Sequence, residues 1–202
     1  MTLVAAYATS LIVIDFLLPL SDENSEDYTI RTRSTDHKKY ISTLEWSDDG
    51  RHLLTASEDM IFVWNIDSNN EFQMIYSIPS EDEKITSCIF LPSTYVSLNS
   101  LNSSSNLVGN LRIAYSTYDN IYVWESDNNG KSMYSHYSSS NTGKISIYNK
   151  AHTGTICSLT SCIRLKPSVK NIANTTNDDF EIILASSSST KENNLKLWNV
   201  NL

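Results

Sequence analysis

The feature of this chain that most constrains its fold is an internal repeat. Residues 3–15 (LVAAYATSLIVID) align without a gap with residues 53–65 (LLTASEDMIFVWN), and residues 55–65 align in turn with residues 115–125 (YSTYDNIYVWE). A fourth copy, residues 183–199, aligns after a few residues are inserted at its turn. The first copy ends near Ile14, whereas the other three carry tryptophan there: Trp64, Trp124 and Trp198. Self-similarity of this kind indicates one small unit stacked several times.

Each copy predicts two short strands around a polar turn. Ile61 and Val63 alternate with Phe62 and Trp64, and β-branched and aromatic residues favour a pleated strand. A further apolar alternation precedes the pair at residues 40–46, 84–90 and 155–161, and another follows it at 72–78 and 144–149. We therefore predict an all-β chain of four-stranded antiparallel units near residues 1–33, 37–78, 81–149 and 152–202.

Three polar tracts interrupt the predicted strands, at residues 97–110, 126–143 and 168–179. They are rich in Ser, Asn and Thr, so they have little apolar surface to bury. We expect them to be surface loops inserted into the repeat units, and they explain why the repeat length varies.

The charge balance argues against broad binding to nucleic acid. The 202 residues include 15 basic and 23 acidic side chains, which gives a net charge of −8. Affinity for nucleic acid depends on a basic surface. The nearest basic cluster is small, and Asp36 partly offsets it: Arg31, Arg33, Lys38 and Lys39.

The cysteines and the apolar N-terminus bear on the compartment. Cys88, Cys157 and Cys162 are odd in number and have no CxxC spacing, which argues against disulfides or zinc and favours buried free thiols in the cytoplasm or nucleus. Residues 1–20 are nearly free of charge, so a signal peptide or membrane anchor is the alternative interpretation. This segment has no basic start, and Asp15 interrupts it. The repeat explains it better, and we expect no membrane association.

The stretch from His37 to Trp64 resembles a WD40 repeat, the four-stranded blade of a β-propeller. The resemblance rests on the spacing from His37 to the Asp49–Gly50 turn and on through Ser57, Asp59 and Trp64. In that family these residue types form a buried hydrogen-bond chain from the turn Asp to His, then to Ser or Thr, and on to the Trp indole. The resemblance therefore implies a structural network of Asp59, His37, Ser57 and Trp64.

The other units resemble the family less closely. The third unit keeps Thr117, Asp119 and Trp124, with Glu81 at the position expected for histidine. The last unit keeps its own set of three: His152, Ser187 and Trp198. We expect these residues to stabilise their blades in the same way.

The predicted strands amount to about three and a half blades, whereas closed propellers have four to eight. Exposed strand edges at both ends of such an array would favour aggregation. We therefore expect a fragment of a larger propeller. A partner or second copy that closes the ring, and an unusual four-blade closure, are the alternatives.

The functional prediction follows from the fold resemblance together with the motifs that are missing. The sequence has no phosphate-binding glycine loop, nucleophile elbow or metal-spaced His/Cys group. We therefore expect a non-enzymatic scaffold for protein partners in a complex, without cofactor or metal, and expect His52 and His136 at the surface. The alternative is a propeller that recognises a peptide or a modification, for example in a chromatin complex. Six tyrosines could serve as interface hot spots or as core: Tyr115, Tyr118, Tyr122, Tyr134, Tyr137 and Tyr148.

Overall fold

The computed structural model describes residues 2–16, 28–67, 69–80, 83–92, 111–126, 143–166, 180–190 and 195–200. These residues form fourteen strands in four antiparallel sheets, and the described ranges contain no helix. The prediction of an all-β fold is confirmed. Two of the three polar tracts, residues 97–110 and 168–179, lie outside the described residues, as do residues 127–142 of the third. Ser126 and Gly143, at the ends of that tract, belong to strands instead.

Sheets 1 and 2 come from the first two repeat units. Sheet 1 consists of β1 (Thr2–Tyr7), β2 (Ser10–Phe16) and β3 (Tyr28–Ser34). Sheet 2 consists of β4 (Thr43–Trp46), β5 (His52–Ala56), β6 (Met60–Ile66) and β7 (Phe72–Pro79). Each strand pairs with the next along the chain. The apolar segment near the N-terminus is therefore a β-hairpin.

Sheets 3 and 4 repeat this arrangement. Sheet 3 consists of β8 (Ser87–Phe90), β9 (Arg112–Ser116), β10 (Ile121–Ser126) and β11 (Gly143–Tyr148). Sheet 4 consists of β12 (Ile156–Leu165), β13 (Phe180–Ser188) and β14 (Leu195–Asn199). The described part of the chain contains strands only, so it has no helix that is long and apolar enough to cross a membrane.

The register shows that the four sheets are equivalent. The residue at the tryptophan position pairs with the same position of the preceding strand in every sheet: Ile14 with Leu3, Trp64 with Leu53, Trp124 with Ile113, and Trp198 with Leu184. Because opposite residues of an antiparallel pair share a face, one face of each sheet carries the tryptophan position. The other face carries the residues that alternate with these along each strand.

Three apolar cores lie between consecutive sheets. Val4, Leu11 and Val13 of sheet 1 pack against sheet 2 through a set that includes Leu53, Phe62 and Trp64. The equivalent residues of sheet 2 are Leu54, Ile61 and Val63. They pack against Ile113 and Trp124 of sheet 3. Sheet 3 in turn packs against sheet 4 through Ala114, Ile121, Val123, Ile182, Leu184 and Trp198. Each core is thus made of the tryptophan face of one sheet and the opposite face of the sheet before it.

The cysteines only partly match the expectation of buried thiols. All three are free, but Cys88 alone is buried, and Cys157 and Cys162 on β12 are exposed. The prediction was wrong for these two residues: Cys162 pairs with Ile183 on the side of sheet 4 opposite to sheet 3, and Cys157 lies at the register irregularity between Ile156 and Ser158.

Candidate functional site

The best-defined polar cluster in the described chain is a buried network in sheet 2. His37 lies before β4 and is held between two hydroxyl groups: its Nδ1 is 3.0 Å from Ser57 Oγ, and its Nε2 is 2.8 Å from Thr55 Oγ1. Trp64 on β6 donates its indole N–H to Thr55 Oγ1 over 3.0 Å. Ser57 donates to Asp59 Oδ1 in the β5–β6 turn over 2.9 Å.

The chemistry of the two end groups sets the direction of every hydrogen bond. An indole N–H can only donate, and a carboxylate can only accept. Thr55 therefore accepts from Trp64 and donates to His37 Nε2, while His37 Nδ1–H donates to Ser57, which donates to Asp59. One neutral tautomer of His37 satisfies all five residues. Burial lowers the pKa of His37 from 6.5 to about 4, although Asp59 and Asp36 oppose this shift.

The network includes one residue that sequence reasoning did not name. Asp59, His37, Ser57 and Trp64 are brought together, but Ser57 lies between Asp59 and His37. Thr55, not Ser57, links the histidine to the indole. The strand alternation contained a usable signal, because Thr55 follows Leu53 on the face that carries Trp64.

In sheet 4 the hydroxyl group that joins the histidine to the indole belongs to Ser186, whereas the sequence predicted Ser187. Ser186 Oγ lies 2.7 Å from His152 Nε2 and accepts the Trp198 indole N–H over 2.8 Å. Ser187 lies on the opposite face of β13, paired with Leu195. Ser186 is equivalent to Thr55, because each follows by two residues the partner of the sheet's tryptophan. The prediction of Ser187 was therefore wrong.

In sheet 3 the equivalent positions have different roles. Thr117 is buried, and its hydroxyl has no hydrogen-bond partner within the described ranges. Trp124 is buried and contacts Tyr76 with ring centroids 5.0 Å apart. The backbone carbonyl of Asp119 accepts the N–H of His152 over 3.3 Å. Tyr115 occupies the position of Thr55 and stacks on Tyr122 at 4.8 Å. Glu81 lies outside the described residues.

The β1–β2, β5–β6 and β9–β10 turns lie at the same end of sheets 1, 2 and 3. In three successive pairs of sheets, the turn of one sheet accepts a backbone N–H from the segment that enters the next: Ile41 to Ala8 (2.9 Å), Ile85 to Glu58 (2.8 Å) and Ile156 to Tyr118 (2.8 Å). Tyr7, Tyr40 and Tyr118 are 72%, 76% and 57% exposed at this end. We refer to these three tyrosines and the exposed Lys38 and Lys39 as the turn face.

The other tyrosines named from the sequence have different positions. Tyr115 is buried and Tyr122 half-buried, and Tyr148 packs against Trp198 with ring centroids 5.7 Å apart. Tyr134 and Tyr137 lie outside the described residues. Among the four described tyrosines of this set, Tyr118 is the one whose side chain is exposed to a partner.

The arginines of the small basic cluster connect sheet 1 to sheet 2. Arg31 Nη1 lies 3.1 Å from Glu71 Oε1, and Arg31 Nη2 lies 3.1 Å from Asp15 Oδ2. Arg33 donates to the carbonyl of Phe72, and its guanidinium lies 5.6 Å from the Trp64 ring centroid. Both guanidinium groups are therefore engaged in the junction between the two sheets.

His52 is buried, contrary to the expectation of a surface residue. Its Nδ1 lies 3.7 Å from Asp49 Oδ1, and burial lowers its pKa more than Asp49 raises it. His136 lies outside the described residues. Among the residues that the structure describes, no group of three or more His, Cys, Asp or Glu could hold a metal ion.

Comparison with known proteins agrees with this geometry. The family described as "WD domain, G-beta repeat" matches residues 28–65, which contain the network of sheet 2. The crystal structure of Sqt1 from Saccharomyces cerevisiae is similar in fold, with a TM-score of 0.50 at 10% sequence identity, over 95% of this chain and 40% of that one. No curated protein matches in sequence. Residues 28–65 therefore match a WD40 repeat, and the four described antiparallel sheets have the arrangement of WD40-type propeller blades.

Proposed function

We propose that this chain is a non-enzymatic scaffold that holds protein partners in a multi-subunit complex. The observation that carries the proposal is the division of its polar residues. The histidine, serine and aspartate that could form a catalytic group are hydrogen-bonded inside sheet 2. The turn face instead presents large side chains with polar tips.

The turn face suits a protein partner for physical reasons. Tyrosine offers a large contact area with few rotatable bonds, and it is enriched among residues that dominate binding energy. Tyr7 and Tyr40 lie beside the hydrogen-bonded pair Ala8 and Ile41, so the sheets fix their backbone positions. A rigid backbone lowers the entropy lost when a partner binds.

Quantitative affinity capture from native cells tests this proposal. The bait is the tagged chain, compared with the double variant Tyr40→Ala/Tyr118→Ala and with the control Arg51→Ala, which changes an exposed residue in the β4–β5 turn. We expect wild type and control to retain partners in fixed stoichiometry, and the double variant to lose them by about tenfold or more. A wild-type chain that retains no stoichiometric partner would contradict the scaffold role.

A second candidate function is recognition of an acidic or phosphorylated peptide at the turn face. Lys38 and Lys39 are exposed between the buried His37 and the exposed Tyr40. Cations beside aromatic rings suit an anionic peptide, because phosphate and carboxylate groups form charge-assisted hydrogen bonds with lysine. Partner retention that falls with rising salt concentration in the wild-type chain, and is weaker and less salt-sensitive in Lys38→Ala/Lys39→Ala, would favour this function over a large apolar interface.

The location that we propose is the cytoplasm or the nucleus. Three free cysteines, two of them exposed, suit a reducing compartment. Imaging of the chain with a fluorescent tag tests this location, and accumulation in the secretory pathway would contradict it.

A further inference from the structure

The outer edge of sheet 3 is an unpaired strand between two covered faces. β11 lies at the end of the strand order of its sheet, and within the described residues it pairs with β10 alone. Sheet 3 packs against sheet 2 on one face and against sheet 4 on the other. Both faces are therefore occupied by sheets of this chain, and what remains open is the backbone edge of β11.

β11 lacks the features that protect the equivalent outer strands, β3 and β7, from pairing. Exposed edges are commonly blunted by bulges, prolines or charges that point inward. β3 directs Arg31 and Arg33 into the junction of sheets 1 and 2. The register of β7 with β6 is interrupted, and β7 ends in Pro79. β11 pairs with β10 without an irregularity, has no proline, and carries Lys144 as its one charge.

Two isoleucines make this edge apolar. Ile145 and Ile147 are 47% and 53% exposed, on the side of β11 that faces sheet 2. They pair with Trp124 and Tyr122 of β10. Exposed β-branched side chains beside unpaired backbone N–H and C=O groups favour the addition of another strand.

The equivalent edge between sheets 1 and 2 shows what this one lacks. There Phe72 is 3% exposed, and the guanidinium groups of Arg31 and Arg33 lie 6.0 and 5.9 Å from its ring centroid. Gly143 occupies the position of Phe72 in sheet 3, because each pairs with the residue two places after the tryptophan of its sheet. The edge of β11 therefore has no aromatic side chain at this position.

We propose that the outer edge of β11 binds an extended segment of a partner protein, which joins the four strands of sheet 3 as a fifth. Another strand matches the unpaired N–H and C=O groups of this edge in spacing and direction. Alternate side chains of the segment lie on the side of Ile145 and Ile147, so these side chains are apolar. One of them is aromatic and lies opposite Gly143, where it takes the place of the missing side chain.

This inference goes beyond the proposed scaffold role, because it uses the edge of β11 and not the turn face. Selection of short random peptides displayed on phage, with the intact chain as the target, is the first measurement. We expect enriched peptides to have apolar residues at alternate positions, one of them aromatic. Failure to enrich this pattern would overturn the proposal and leave partner capture by the turn face unaffected.

Three variants show where an enriched peptide binds. Its affinity should fall about tenfold or more in Ile147→Lys, which places a charge in the apolar contact. The affinity should not change in Thr29→Lys, which adds the same charge to an exposed position of β3, or in Tyr40→Ala/Tyr118→Ala. Circular dichroism of each variant confirms that its sheets are intact. Equal affinity for wild type and Ile147→Lys, or binding that requires Tyr40 and Tyr118, would overturn the proposal.

N-methylated peptides test the strand pairing on the wild-type chain. In an extended strand the N–H groups of alternate residues point to the same edge, so methylation of one alternate set removes the hydrogen bonds to β11 and methylation of the other set spares them. We expect one of the two methylated versions of an enriched peptide to lose binding and the other to retain it. Equal binding of both versions would overturn strand addition.

Hydrogen exchange tests whether the edge is open in the free chain. The backbone amides of β11 that point away from β10 should exchange quickly, and they should become protected when the enriched peptide binds. Slow exchange of these amides in the free chain would mean that another segment of the same chain occupies the edge, and would overturn the proposal.

Discussion

Replacement of Thr55 by valine tests the central hydrogen-bond network with little change in shape. Thr55 is fully buried and joins Trp64 Nε1 (3.0 Å) to His37 Nε2 (2.8 Å) through one hydroxyl. The valine variant leaves both groups buried without this partner, and each unsatisfied polar group costs about 1–3 kcal/mol. We expect the free energy of unfolding to fall by about 3 kcal/mol.

Urea unfolding followed by tryptophan fluorescence and circular dichroism measures this loss. If the free energy of unfolding falls by about 3 kcal/mol per molar urea, the urea concentration at the midpoint of unfolding should fall by about 1 M. Thr29→Val, an exposed β3 threonine, is the matched control and should change the midpoint little. In a Trp64→Phe background, which lacks the indole donor, Thr55→Val should cost less, because one of the two groups is already gone. A Thr55→Val midpoint equal to that of the control would refute the network.

Three further predictions follow from burial and register. The pKa of His37 falls from 6.5 in the unfolded chain to about 4 in the folded one, so the free energy of unfolding should decrease by about 3 kcal/mol as the pH drops through this window. Urea titrations at a series of pH values should show a smaller decrease for His37→Gln. The same decrease in wild type and variant would contradict the assignment. The two exposed thiols of β12 should react quickly with a thiol reagent, whereas Cys88, whose pKa is raised by burial, should react only after unfolding; three fast thiols would contradict its placement. Ser186→Ala should destabilise by about 2 kcal/mol and Ser187→Ala by much less, measured by thermal unfolding, because only Ser186 joins the buried histidine to the indole; equal losses would contradict the register of β13.

The parts of the fold that could be predicted depend on local properties. Alternation of β-branched and aromatic residues indicates strands, and the repeat indicates that the strands belong to equivalent units. The spacing from His37 to Trp64 was sufficient to group four of the five residues of the sheet 2 network, but it did not identify Thr55. The interrupted fourth copy was harder, because its inserted turn obscures the pairing of β13 with β14. The hydroxyl was therefore assigned to Ser187 instead of Ser186.

The sequence by itself determined the all-β class, the four units and the histidine and tryptophan residues of the network, because side-chain alternation and residue spacing are properties of the chain. The tertiary structure decided which hydroxyl joins them, because Thr55 and Ser186 are selected by cross-strand register. It also decided which side chains are covered. His52 is buried, the thiols of β12 are exposed, and Leu197 is exposed while the equivalent Val63 is fully buried. Burial depends on which sheet packs against a face, and alternation along a single strand carries no information about that neighbour.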